Sequence, residues 1–481
     1  MSVRPKTSSH GTPEALHTAL VAALGPEAVV SEADAMAPYL KEWRDLYRGA
    51  TPFVVRPKDT AEVATAVRLA AEHRVPLVPQ SGNTGLVGGQ IPVETGHEVV
   101  LSTNRLAAIE SVDAEGNTLL CGAGAILADV QSAAEKVGRL FPLSLASEGS
   151  ARIGGLISTN AGGTAVLVYG NMRDQVLGLE VVLPDGSVWN GLRALRKDNT
   201  GYDLKHLFIG AEGTLGIVTR AVLKLRPRPV ARDVAMVGVA SPAEAVTLLG
   251  RMRATMGEAI TAFEIIPRFG IEMVLRHIEG TRNPFETVPP WAVLMEASTF
   301  SPERPMRESL EAALMAAYED KVVVDAVIAQ SLTEASEFWR MRELLSEVQG
   351  YEGGSIKHDV SVPVAEMPAF IEEASAAALA VIPGCRPMGF GHVGDGNIHF
   401  NITQPEGADK AAFLARWSEV NAAVHAVVHA HRGSIAAEHG VGRMKAKLMP
   451  RVLDPVELEM MRTIKSAFDP HNIMNPGRVL D

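Results

Sequence analysis

Cysteine is nearly absent: Cys121 and Cys385 are the only two in 481 residues. Two thiols argue against a disulfide framework and suit a reducing compartment. Long apolar runs are missing as well, and no window approaches the roughly 18 uninterrupted apolar residues of a membrane-spanning helix. Before Glu14 there is no apolar stretch of the kind a secretory leader needs. Thr12-Pro13 reads instead as the N-cap and first turn of a helix. Nor is there an excess of positive charge, since 45 Lys and Arg face 56 Asp and Glu, a balance of −11. Without a basic stripe, nucleic acid is not an expected partner. These absences point to a soluble cytoplasmic protein with no transmembrane segment.

A chain of this length outgrows one ordinary core, so two or more domains are expected. Residues 52–93 read as strand, helix, strand and loop. "FVVRPK" and "VPLVPQ" are the strands, and "TAEVATAVRLAAEHR" carries a helical apolar stripe at Val63, Ala66, Val67, Leu69 and Ala70. Asp185-Gly186 closes a hairpin in "LEVVLPDGSVWN". The prolines of "LRPRPV" (225–230) mark a domain boundary. Beyond it, helices such as 333–349 alternate with strands such as "WAVLMEAS", and 409–431 reads as an amphipathic helix stopped by Gly433. The fold class is α+β. Residues 1–49 form an N-terminal helical segment, 50–228 and 229–430 two domains, and 431–481 a closing segment.

Two stretches are dense in glycine. "QSGNTGLVGG" follows a strand with Gly82, Gly85, Gly88 and Gly89, and "IGGLISTNAGG" sets Gly154, Gly155, Gly162 and Gly163 around Thr159 and Asn160. Missing Cβ atoms let backbone N–H groups approach a phosphate. Either loop alone reads as a tight turn. Two of them with interleaved Ser, Thr and Asn donors suggest a nucleotide diphosphate. No G-x-G-x-x-G joins a strand to a helix, and "GAEGTLGIV" lacks a P-loop ending, so both common nucleotide folds are set aside.

"GFGHVGDGNIHF" (389–400) holds two histidines around an Asp-Gly turn signal. A two-residue turn at Asp395-Gly396 opposes His392 to His399, with Phe390 and Asn401 on the same face. "AAEHGVG" supplies a carboxylate, and two imidazoles with one carboxylate make the ligand set of a catalytic zinc site. A hairpin with two solvated histidines fits the spacing too. His425 and His429, one helical turn apart with no glutamate beside them, read as surface or packing residues. In the helix 333–349, Phe338, Arg342 and Ser346 share one face with Leu345 beside them.

Several motifs carry a resemblance. "VVRPKDTAEVATAVRLAAEHRVPLVPQSGNTGLVGG", "IGGLISTNAGG", "VLGLEVVLPDGSV" and "RKDNTGYDLKHLFIGAEGTLGIVT" resemble, in order, the flavin-binding domain of the vanillyl-alcohol oxidase and p-cresol methylhydroxylase superfamily. "GFGHVGDGNIHFNI", "AAEHGVG" and "FDPHNIMNPGRVL" resemble its D-2-hydroxyacid dehydrogenase branch, and within it the D-2-hydroxyglutarate dehydrogenases. The likeness runs from about residue 50 to the last motif.

The resemblance implies FAD held between two α+β subdomains, a second α+β substrate domain with an antiparallel sheet and helices, and a C-terminal segment returning to the flavin. The pyrophosphate would sit in the 81–85 loop, within a set of Pro79, Ser81, Gly82, Asn83, Thr84, Gly85 and Gly88. Gly149, Gly154, Gly155, Thr159, Asn160, Gly162 and Ile217 would follow the rest of the cofactor, with Asn475 from the tail. Some members attach FAD through a histidine in the first loop. Asn83 stands there instead, which implies non-covalent FAD.

By the same resemblance His392, His399 and Glu438 hold zinc or another divalent metal, and His439 is the catalytic base. Arg342, Ser346 and Lys357 bind substrate carboxylates, although Ser346 departs from the family's threonine. Asn401, on the hairpin's metal face, is a further substrate contact. The implied reaction oxidises a D-2-hydroxyacid, most closely D-2-hydroxyglutarate, and passes electrons through FAD to an electron-transfer flavoprotein or quinone. D-lactate, D-malate or glycolate as substrate, the superfamily's alkyl-transfer chemistry, and a non-catalytic flavin or metal carrier are the alternatives. A homodimer is compatible with all of them.

Overall fold

The computed structural model describes residues 11–303 and 305–481. Residues 1–10 of the N-terminal segment lie outside the described residues. By internal contacts the chain forms two units. One gathers residues through Gly162, Gly170–Arg228 and His439–Asp481, and the other Gly163–Tyr169 and Pro229–Glu438.

In the first unit the expected helix runs Thr60–His73. Asp59 caps it by accepting the Glu62 N–H, and Val63, Ala66, Val67 and Ala70 are buried along it. Strands β1 (Val29–Val30), β2 (Val54–Val55), β3 (Leu77–Gln80) and β4 (Val99–Ser102) form a sheet in the order β1-β2-β4-β3. β4 is parallel to β2 and to β3, as strands joined by crossovers must be. "FVVRPK" contributes only the two residues of β2. A second, antiparallel sheet has the order β5-β6-β10-β8-β9, from β5 (Ile109–Asp113), β6 (Thr118–Gly122), β8 (Val176–Val182), β9 (Val188–Gly191) and β10 (Ile217–Lys224). Asp185-Gly186 does lie in the turn between β8 and β9. β7 (Arg139–Leu140) and β11 (Arg226–Pro227) make a small separate pair.

The tail closes this unit. Leu77 N–H donates to the Ile473 carbonyl at 2.7 Å, and Asn475 N–H donates back to Leu77 at 2.9 Å. Three residues on, the Arg478 guanidinium is 2% exposed and grips Glu98 through both carboxylate oxygens. Leaving such a buried charge without its partner costs roughly 3–5 kcal/mol.

The second unit is built on one antiparallel sheet ordered β15-β12-β14-β13-β17-β18-β16. Its strands are β12 (Ala231–Val239), β13 (Ile260–Pro267), β14 (Trp291–Thr299), β15 (Asp325–Ile328), β16 (Ser355–Ser361), β17 (Arg386–His392) and β18 (Asn397–Thr403). The helix expected over 333–349 breaks at Leu344 into Leu332–Glu343 and Leu345–Val348, which leaves Arg342 buried and Ser346 exposed. The helix expected over 409–431 also divides, into Lys410–Ala415, capped by Asp409, and Trp417–Ala430. It is Arg432, at φ +55°, that turns the chain out of it, one residue before Gly433. No helix among the described residues is long and apolar enough to cross a membrane.

Candidate active site

The hairpin β17–β18 corrects the turn read from the sequence. Residues 393–396 form the loop, so His392 opposes Asn397, and Phe390 opposes His399. Asn397 marks the shift: its N–H, which would have closed the tighter turn on Gly394, donates instead to Asp395 Oδ1 at 3.0 Å, while Val393 N–H continues the pairing to β13 through the Phe263 carbonyl at 2.9 Å. Each partner has moved by two residues, and a shift of two preserves the face. His392 and His399 therefore remain on one side of the sheet as diagonal neighbours, their ring centres 5.6 Å apart.

A row of polar groups runs along that face. Glu264 on β13 pairs with His392, Asp359 on β16 opposes His399, and Lys357 opposes Asn401. β13 is buried at every position, so an ionised Glu264 needs partners. It has two: His392 Nδ1 at 2.5 Å and Arg342 Nε at 2.7 Å. Arg342 reaches in from the last turn of its helix, with its guanidinium carbon 4.9 Å from the Phe390 ring centre. Burial alone would raise the Glu264 carboxyl, but the charges and hydrogen bonds of His392 and Arg342 hold it down to about 2. Burial pulls His392 down, and Glu264 and Glu438 outweigh it and lift the ring to about 9. Glu438 is pushed up to about 7, chiefly by burial, with His392 opposing and Asp359, Asp395 and Glu264 adding to the rise.

Glu438 is delivered to this face by Asp359, whose Oδ2 accepts the Glu438 N–H at 2.9 Å while Oδ1 accepts from Asn397 at 3.0 Å. His392 Nε2 lies 3.6 Å from one Glu438 oxygen, and His399 Nε2 lies 4.0 Å from the other. The three ligand atoms fall within 4.8 Å of one another. Donors on one ion, each at about 2.1 Å, can be up to about 4.2 Å apart, so small side-chain shifts complete the set. Two nitrogens and a carboxylate, with the outer nitrogen of His392 bound to a carboxylate, fit a divalent cation.

Lys357 and Ser346 meet, through a Lys357 Nζ bond to the Ser346 carbonyl at 2.9 Å. Asn401, opposite Lys357 in the sheet, is 2% exposed and donates to Gln349 at 2.7 Å. His425 packs edge-on against His358, 5.6 Å between ring centres, and His429 is exposed.

In the first unit the two glycine loops touch. A Cβ on Gly82 would lie 2.3 Å from the Ser150 carbonyl oxygen, and one on Gly155 would lie 3.2 Å from the Ser81 Cβ. Pro79 is the penultimate residue of β3, just before this loop, while Thr84, Gly85 and Gly88 continue it. Thr159, Asn160 and Gly162 follow the helix Ile153–Ser158, which carries Gly154 and Gly155. Gly149 precedes that helix with open space where its Cβ would be, and Ile217 starts β10. Ser81 Oγ is buried without a hydrogen-bond partner among the described residues. Glycine closeness with an unmet hydroxyl suits a phosphate-bearing cofactor such as FAD. Asn83, at φ +55°, donates to the Pro38 and Lys41 carbonyls, so its side chain ties the loop to the preceding segment.

His439 is half-buried and immediately follows Glu438. The turn after it is held by Glu212, whose two oxygens accept the N–H groups of Val441 at 2.7 Å and Gly442 at 2.8 Å. Asn475 donates to the Glu212 and Gly89 carbonyls, so the tail, the first glycine loop and this turn meet. Sequence reasoning missed Glu264, Asp359 and Glu212. A lone glutamate in the apolar "AFEIIP", and another between glycines in "GAEGTLG", were the available signals.

Comparison with known proteins agrees with the motifs. Residues 51–191 match the FAD binding domain family, and residues 228–479 the C-terminal domain of FAD linked oxidases. The chain is 39% identical over 457 residues to a probable mitochondrial D-2-hydroxyglutarate dehydrogenase of Oryza sativa subsp. japonica, spanning 95% of this chain and 80% of that one. It is 36% identical over 468 residues to the D-2-hydroxyglutarate dehydrogenase of Stutzerimonas stutzeri (strain A1501), spanning 97% and 99%. The crystal structure of p-cresol methylhydroxylase with substrate bound shares the fold, with a TM-score of 0.76 at 18% identity over 99% of this chain and 98% of that one.

Proposed function

Because the chain belongs to the FAD-linked oxidases, in the group of the D-2-hydroxyglutarate dehydrogenases, we propose that it oxidises D-2-hydroxyglutarate to 2-oxoglutarate. The observation that carries this is the sheet face where Arg342 and His392 share Glu264 and where His399, Asn401 and Lys357 are aligned. When bound, FAD supplies a two-electron acceptor, and a divalent metal, zinc foremost, on His392, His399 and Glu438 supplies positive charge for the substrate's oxygens. His439 takes the hydroxyl proton on a ring nitrogen, a contribution of roughly 10²–10⁴-fold. The Arg342 Nη edge and the Lys357 ammonium bind the distal carboxylate. Electrons leave to an electron-transfer flavoprotein or a quinone. A cytoplasmic homodimer completes the reading.

The test is anaerobic mixing with a panel of D-2-hydroxyacids, watching the yellow flavin bleach. Bleaching by D-2-hydroxyglutarate supports the reading. No bleaching by any of them leaves a carrier. A second reading, D-lactate, D-malate or glycolate as substrate, is favoured by the internal partners that Arg342 and Lys357 already have. Against it we expect D-2-hydroxyglutarate to exceed D-lactate in kcat/KM by about ten- to more than a hundredfold, the worth of a charge-assisted hydrogen bond. Lys357→Met should narrow that gap by slowing the dicarboxylate. Equal rates on both acids, with Lys357→Met indifferent, would transfer the protein to the second reading. Asn83 also predicts that acid denaturation releases all of the flavin; yellow colour left on the precipitate contradicts non-covalent binding.

A further inference from the structure

We infer that Glu264 is a positioning residue shared by the two ends of the site, one carboxylate oxygen orienting His392 for the metal and the other orienting Arg342 for the substrate. The inference rests on the proposed function and deepens it. Oε1 meets His392 Nδ1 at 2.5 Å, and Oε2 meets Arg342 Nε at 2.7 Å. An ionised carboxylate only accepts, so a ring proton sits on Nδ1 facing it, and Nε2, which points toward Glu438, is the nitrogen left for a metal. Arg342 is fixed in the same way: a bond at Nε, with the Phe390 ring under its carbon, presents the Nη edge. Glu264 is itself immobile, fully buried in β13 with His392 as its cross-strand partner.

One group therefore sets two properties that are ordinarily independent, metal affinity and selectivity for a second carboxylate. Glu264→Gln keeps the shape but holds Arg342 through a weaker, uncharged acceptor, and its amide N–H can meet His392 Nδ1 only if the ring proton moves to Nε2, the nitrogen facing Glu438. Glu264→Asp keeps the charge and is too short to reach both. In the FAD-loaded protein, either variant should weaken Zn²⁺ binding by about 10–100-fold, read by competition with a chromophoric chelator. The same variant should lower the kcat/KM ratio of D-2-hydroxyglutarate to D-lactate by about tenfold or more, at unchanged flavin content. Arg342→Met should lose the ratio and keep the zinc affinity. A purely structural glutamate would lower the melting temperature and leave both readouts unmoved in the folded fraction.

Wild-type zinc affinity or a wild-type substrate ratio in a folded Glu264 variant overturns the inference. Imidazole nitrogen NMR of the zinc-loaded wild type tests it without any substitution: a His392 protonated at Nε2 and metallated at Nδ1 also overturns it. If the wild type binds no zinc, the proposed function falls and this inference with it. If zinc binds and only His399→Ala releases it, this inference falls alone.

Discussion

His399→Ala is expected to empty the metal site and lower turnover by about 10³-fold or more, since a cation stabilising charge at the reacting oxygens is worth several kcal/mol. The imidazole supplies Nε2 opposite the second oxygen of Glu438, and among the described strands of the sheet His392 is the other histidine on that face. Its loss leaves one nitrogen and one carboxylate, too few to hold a divalent ion against water. The flavin should remain, because the glycine loops belong to the other unit. Metal content by mass spectrometry, flavin absorbance and turnover measured on one preparation decide it. Stoichiometric metal in the variant, or full activity after chelation of the wild type, would sink the assignment.

His439→Gln should cost about 10²–10⁴-fold in kcat, the range for a general base. Metal and flavin should both be retained, because Glu438 keeps its backbone bond to Asp359, and Glu212 keeps the turn at Val441 and Gly442. This separates it from His399→Ala, in which metal and rate fall together. A variant with near-native kcat assigns the proton to another group.

The parts of this site that the sequence disclosed are those written in short stretches of chain. The helix Thr60–His73 announces itself through its apolar spacing, and the glycine loops through composition. His392 and His399 were placed on one face by a turn that does not form, and the result survived because the register moved by an even number. The tighter turn is lost where the Asn397 N–H goes to the Asp395 side chain, a choice between side-chain and backbone acceptors that the Asp-Gly signal does not report. Glu264 and Asp359 were illegible for another reason: a carboxylate in a strand declares a need for partners without naming them. Ser346 was misplaced because the spacing of a continuous helix was assumed across Leu344, where the helix breaks.

The first unit is threaded discontinuously, with Glu98 waiting 380 positions for Arg478 and Leu77 waiting for Ile473 and Asn475. As the chain leaves the ribosome, the second unit has all of its strands before that tail is made. The cofactor-binding unit is therefore the last to close, although most of it is synthesised first. Contacts of such separation are slow to form, and the open sheet edge at β3 is exposed to wrong pairing until they do. A ribosome that stalls or terminates a few dozen codons early would release a finished sheet bearing His392 and His399 alongside an unclosed flavin unit, a product for chaperones and proteases rather than a weaker enzyme.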